Sequence, residues 1–134
     1  MIDAGEGFCE TRLDVRRHHL APNEFLHAGS IVTLADTSAG MGCIASMPDS
    51  VAGFTTLELK ANFVRSAADG DALRCRATLA HGGRTVQVWD ARVTRESDGR
   101  ELALFRCTQY LLPAEDARTT QQSRMRRGGG PSPD

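Results

Sequence analysis

In the stretch HAGSIVTLADTSAG, residues 27–40, a single acid, Asp36, stands among small and apolar residues. A carboxylate in such company has two readings. It lies on a polar flank with Thr33 and Thr37 and meets solvent, or it serves a buried cleft as general base or nucleophile. In the second case a partner, a water-filled cleft or a raised pKa must offset its desolvation. The same stretch opens with His27, Ala28 and Gly29. If it is helical, its first N–H groups lack intrahelical acceptors and carry the positive end of the helix dipole. Ala28 and Gly29 are small enough for a substrate carbonyl to reach those N–H groups, which is the geometry of an oxyanion hole. His27 is either a capping or packing residue or a participant in the chemistry. The four cysteines, Cys9, Cys43, Cys75 and Cys107, form no CxxC and no Cys/His pair at zinc spacing. They read as buried thiols in a reducing cytoplasm, and no metal or cofactor is expected. His18 and His19 read as surface residues.

The elements that must hold these residues can be traced along the chain. A length of 134 residues suits one domain, and a net charge of −1 gives no overall basic field for nucleic acid. No apolar run approaches the ~18 residues of a membrane span, and the N-terminus has no apolar leader. Cytoplasmic localisation follows as an expectation. Residues 6–17 alternate loosely as a strand, and 18–26 read as a loop with Pro22 and Asn23 as turn residues. A helix is expected from about Ala28 to Met47, stopped by Pro48. Four strands follow, over 54–64, 72–80, 85–95 and 101–112. Gly82-Gly83 and the SDGR segment at 97–100 supply turns. In the first of these strands, strict alternation puts Thr55, Leu57, Leu59, Ala61 and Phe63 on one face and Thr56, Glu58, Lys60 and Asn62 on the other. The sum is an α+β domain over residues 1–112, one long helix against a five-stranded antiparallel sheet whose last four strands form a meander. Residues 113–134 have no apolar period and read as a disordered tail.

The helix is apolar nearly all round, which marks a buried one. Gly40 and Gly42 each cost it ~1 kcal/mol relative to alanine, so close approach of another backbone or a ligand is expected there. Helical geometry also constrains the chemistry. Ala28 and Asp36 are ~12 Å apart along the axis at 1.5 Å per residue. An oxyanion donor must lie within about 3 Å of the developing charge. One helix can hardly serve both ends of one acyl group; two antiparallel helices from two subunits can.

Taken in order, NEFLHAGSIVTLADTSAG, GFTTLELKANFVRSA, HGGRTVQVWDARV and a last strand with FRCTQYL resemble the hotdog-fold acyl-CoA thioesterases of the phenylacetate-pathway (PaaI-like) type, over roughly residues 8–112. The resemblance implies a sheet wrapped around one central helix, hydrolysis of an acyl- or aryl-coenzyme A, and a homodimer or dimer of dimers. It implies no cofactor. His27 and Asp36 match the family's helix-opening His-Gly-Gly and its Leu-Ala-Asp segment. Ala28 stands where the family has its first glycine; it keeps the N–H and narrows the approach by a methyl group. Thr56 matches a Ser or Thr that helps hold the water in some members, although alternation puts it opposite the apolar face. Asn23 lies near the place of an asparagine found in some members, at a different offset from His27. Arg65 and Arg84 are candidates for the coenzyme A phosphates. Two rival functions remain: a non-catalytic acyl-CoA-binding module, and a hotdog dehydratase or hydratase using His27.

Overall fold

The structure, a computed structural model, describes residues 1–114. Its elements run β1 (Asp3–Gly5), β2 (Phe8–Asp14), a 3-10 turn (Arg17–His19), α1 (Ala28–Ser46), β3 (Val51–Phe63), β4 (Ala72–Gly82), β5 (Val86–Arg95) and β6 (Glu101–Pro113). The strands form one antiparallel sheet in the order β1-β2-β4-β5-β6-β3. The helix lies across one face, chiefly over β4, β2 and β5. This is the α+β wrap expected from the sequence, with a short sixth strand, β1, added as a hairpin partner of β2. β6 runs through Pro113, and the remainder of the expected tail, residues 115–134, lies outside the described residues.

Only β4, β5 and β6 form a meander; β3 does not pair with β4 but crosses to the far side of β6. The cause lies in residues 64–71, which are not a tight turn. They run past the segments that precede the helix: Ala67 is buried, its carbonyl accepts the Leu26 N–H at 2.8 Å, and the Asp71 carbonyl accepts the Val15 N–H at 2.8 Å. β3 therefore ends the sheet as a long edge strand, and β2 fills the place beside β4.

The inward face of the sheet is apolar and built in cross-strand rows. Leu79, Trp89, Cys107 and Leu59 make one; Cys9, Ala77, Ala91, Phe105 and Ala61 make another. Outward positions carry ion pairs such as Arg106–Asp90 and Arg92–Glu101. The two helix glycines answer to side chains rather than to backbone or ligand. A Cβ on Gly42 would stand 2.6 Å from the Trp89 ring, and one on Gly40 would stand 3.0 Å from the Phe54 ring. Trp89 is fully buried, so the helix can pass over this ring only at a position without a side chain.

All four cysteines are free and buried. Burial pushes the Cys43 and Cys75 thiols up to about 11 and Cys107 to about 12, which leaves them protonated packing groups rather than nucleophiles. No helix among the described residues is long and apolar enough to cross a membrane.

Candidate active site

Asp36 sits in the third turn of the helix, on the face it shares with Val32, Gly40 and Cys43. Its side chain is half-buried, and its Oδ1 is a buried side-chain polar atom with no hydrogen-bond partner, alone in this among the described residues. Burial raises its pKa above the ordinary carboxylate value. It thus departs from the solvated-flank reading: Thr33 and Thr37 are exposed and Asp36 is not. Its charge is also felt at Cys107 on β6, helping to push that thiol up. The acid therefore faces the β6 side of the sheet, toward the β3 edge.

Thr56 lies on that same side. The sequence alternation places it away from the helix, and the structure corrects this through a β-bulge. Thr56 opposes Gln109 and Glu58 opposes Thr108, so Leu57 is the extra residue. The bulge reverses the phase. Before it, Phe54 and Thr56 share the inward face with Leu111 and Gln109; after it, Leu59, Ala61 and Phe63 do. Thr55 and Leu57 are thereby turned out, and Leu57 is 61% exposed. Phe54 touches the helix at Gly40, one turn beyond Asp36, which brings the start of β3 to the face that carries the acid. The Thr56 hydroxyl donates to Gln109 Oε1 at 2.9 Å, and Gln109 is fully buried. Gln109 was not singled out by the sequence reading. Its signal was there: a polar residue on the apolar phase of FRCTQYL, between Cys107 and Leu111.

At the other end of the functional stretch, His27 is the helix N-cap, and its Nδ1 accepts the Gly29 N–H at 2.9 Å. This corrects the expectation for Gly29, whose N–H is already engaged. The Ser30 N–H is likewise spent on the His27 carbonyl at 2.9 Å. Ala28 is exposed, and its N–H has no acceptor among the described residues. One N–H of the first turn is left to meet a ligand, and it is the one on Ala28.

The remaining candidates do not gather at this site. Asn23 is exposed, and its Oδ1 accepts the Phe25 N–H at 3.1 Å, closing a turn in which Glu24 has a φ of 68°. Its amide oxygen holds that turn in place. Arg65 donates to the Glu101 carbonyl at 3.1 Å, close to where Ala67 bonds Leu26 at the start of the helix. Arg84 is exposed in the β4–β5 turn, beside Thr85, whose carbonyl accepts from Leu111 at the opposite end of the sheet. The helix between those ends is ~28 Å long, so the two arginines do not flank one entrance within a chain. Among the described residues, no three His, Cys, Asp or Glu side chains come together to hold a metal ion.

A single chain thus presents two half-sites: a free N–H at Ala28, and an orphaned carboxylate with a threonine on its side of the helix. Beside the second half-site, the β3 edge and the helix leave Leu57, Leu59, Phe63, Val64 and Ile44 exposed.

Comparison with known proteins identifies the family and the fold. Residues 23–102 match the family described as the thioesterase superfamily. The 1,4-dihydroxy-2-naphthoyl-CoA hydrolase of Listeria monocytogenes is 30% identical over 109 residues, 81% of this chain and 85% of that protein. Among solved structures, smu.793 from Streptococcus mutans, bound to acetyl CoA, superimposes with a TM-score of 0.78 at 27% identity, covering 84% of this chain and 87% of that one. The PaaI protein of the E. coli phenylacetic acid degradation operon shares the fold, with a TM-score of 0.73 at 24% identity over 80% of this chain and 74% of that one. One long helix packed on an antiparallel sheet is therefore a known architecture, and the chain belongs to the thioesterase superfamily.

Proposed function

We propose that the protein hydrolyses an acyl- or aryl-coenzyme A thioester to the free acid and coenzyme A. The observation that carries this reading is the partnerless buried Oδ1 of Asp36. A carboxylate oxygen kept from solvent and from every donor is costly to hold, and the group is a stronger base than an ordinary carboxylate because burial raises its pKa. The relatives supply the substrate class: a naphthoyl-CoA hydrolase by sequence and an acetyl-CoA complex by structure.

In the proposed reaction Asp36 takes a proton from water as the water oxygen bonds to the thioester carbonyl carbon. The Ala28 N–H receives the developing oxyanion. The oxyanion then re-forms the carbonyl as the C–S bond breaks, and the leaving thiolate takes the proton from Asp36, which restores the carboxylate. Thr56 helps hold the water. The ~12 Å between Ala28 and Asp36 supports dividing these roles between two chains. Each site takes the helix N-terminus of one subunit and the acid of the other in a two-fold homodimer. The long β3 edge with its exposed apolar residues suits such pairing, which would cover an otherwise open strand. Four free buried cysteines suit a reducing compartment such as the cytoplasm.

The test is a panel of acyl-coenzyme A thioesters, aromatic and medium-chain, incubated with the protein and a thiol reagent. Thiol release that depends on the protein is expected for at least one class. Saturable binding with no release would make the protein a carrier or sensor instead.

A further inference from the structure

Gln109 lies on β6 with 0% exposure, in a row that runs Thr56, Gln109, Gln87 across β3, β6 and β5. The oxygen and the nitrogen of its amide have separate partners. Oε1 accepts the Thr56 hydroxyl proton at 2.9 Å, and Nε2 donates toward Cys107 Sγ at 3.4 Å. Gln87 in the same row is committed to the Trp89 indole N–H at 2.9 Å. A buried polar side chain so bound is either a packing feature or a device for orienting its neighbour.

We infer that Gln109 is a positioning residue that fixes the direction of the Thr56 hydroxyl. This inference rests on the hydrolase reading above. A threonine hydroxyl has one proton and two lone pairs. With its proton held by Gln109 Oε1, Thr56 Oγ1 can only accept from a water beside it. That water then donates one hydrogen to Thr56 and the other to Asp36, and a lone pair of its oxygen is left to face the thioester carbonyl carbon. The proton that leaves the water is the one directed at Asp36.

The state of Asp36 agrees with this direction. A hydroxyl donating to the carboxylate would satisfy Oδ1 and make it a weaker base, yet Oδ1 has no donor. The hydroxyls near this part of the helix are directed elsewhere: Thr56 to Gln109, Ser38 to the Leu34 carbonyl at 2.8 Å and Thr33 to the Gly29 carbonyl at 2.9 Å. Gln109 keeps the proton of Thr56 off the base.

The test compares pH profiles of kcat for the full chain and three variants. Thr56→Val removes the hydroxyl. If Gln109 holds its proton in the native protein, kcat falls and the acid limb of the profile stays where it was. A limb that moves to higher pH would mean that Thr56 had been donating to Asp36, and would overturn the inference. Gln109→Met keeps the length of the side chain and removes the acceptor. The Thr56 proton is then free to turn to Asp36, so kcat should fall about tenfold at unchanged KM, with the acid limb displaced to lower pH. Adding Thr56→Val to Gln109→Met should return the limb to its native position. A fall in kcat with an unmoved limb in Gln109→Met would reduce Gln109 to packing. Should Gln109→Met not fold, the Thr56→Val limb alone decides the matter. Asp36→Asn and the native protein, run alongside, separate the claims: no thiol release by the native protein removes the hydrolase reading, full activity in Asp36→Asn removes Asp36 as the base, and loss of activity in Asp36→Asn with an unmoved limb in Gln109→Met removes only the role of Gln109.

Discussion

Ser38 and Asp36 are two residues apart on one helix, and their surroundings differ in every respect. Ser38 is fully buried, donates to the Leu34 carbonyl at 2.8 Å and shares a 2.5 Å hydrogen bond with Thr11 of β2. Its side of the helix packs on β2 and β4 around Cys9, Cys75 and Leu73, and every polar group there has a partner within the chain. Asp36 looks the other way, toward β6 and the β3 edge. Its Oδ1 has no partner, and exposed Leu57, Leu59, Phe63 and Ile44 lie along that side. The first side is complete in one chain and works for stability. The second is incomplete in one chain, which is what a site shared between two copies requires. Polar groups are expensive to bury in both places; only on the Asp36 side is the cost left uncompensated, and there the chemistry is proposed to use it.

The sharpest way to break this contrast is Asp36→Asn. Turnover should drop by ~10²-fold or more, the contribution of a positioned general base, while the melting temperature does not fall. The sign of the second effect follows from linkage. Burial raises the folded-state pKa of Asp36, so the folded protein binds the proton more tightly than the unfolded one. Asp36 thus subtracts stability once pH rises above its unfolded pKa, and an uncharged amide removes that penalty at neutral pH. A large loss of stability in calorimetry would place Asp36 with Ser38 as a structural group. The same shift predicts the wild-type pH profile: base-form activity should disappear, as pH falls, above the range of an ordinary carboxylate.

Leu59→Glu probes the incomplete side directly. Leu59 is already 43% exposed in the single chain, so circular dichroism should change little. Sedimentation should shift toward monomer and activity should fall by more than about tenfold, because a charge would enter the apolar surface assigned to the second copy. Retained dimer and activity would remove β3 from the interface. Ser38→Ala is the mirror experiment. It strips the Thr11 hydroxyl of its buried partner and should cost about 1–3 kcal/mol in denaturant unfolding, with kcat unchanged. A kcat loss without a stability loss would erase the contrast. The smallest effect belongs to Ala28→Gly, which keeps the N–H and removes one methyl group. Turnover within about threefold of wild type is expected if the backbone donor, not the side chain, carries the role; loss of a further order of magnitude would show that the methyl group shapes the site.

Much of this was legible in the sequence because it depends on local pattern. The apolar helix, its acid, and the alternation of β4, β5 and β6 follow from periods that tertiary contacts did not override. Thr56 was misplaced because a bulge is a one-residue defect in alternation, and TTLELK reads the same with or without it. The crossing of β3 to β6 was missed because residues 64–71 carry turn-like composition but bond to distant segments, Ala67 to Leu26 and Asp71 to Val15. Gly40 and Gly42 announced a close approach, yet only the fold shows that aromatic rings at Phe54 and Trp89 make it. Gly29 resembled a free donor until His27 was seen to cap it. In each case the missing information was the identity of a partner distant in sequence or a cap formed only in the folded helix start.

The central claim is that one site draws on two chains, and complementation between two inactive variants tests it most directly. Ala28→Pro removes the free N–H at the first helical position, where proline is tolerated; the preceding His27, at φ −65° and ψ 133°, already has a backbone compatible with a following proline. Asp36→Asn removes the acid. The two proteins are unfolded together, refolded, and the heterodimers confirmed by native mass spectrometry. In each heterodimer one site carries both lesions and the other carries neither. With random pairing, half the dimers are mixed and half of their sites intact, so activity should return to about a quarter of wild type. Heterodimers that remain inactive would confine the Ala28 N–H and the Asp36 carboxylate to the same chain and contradict the account.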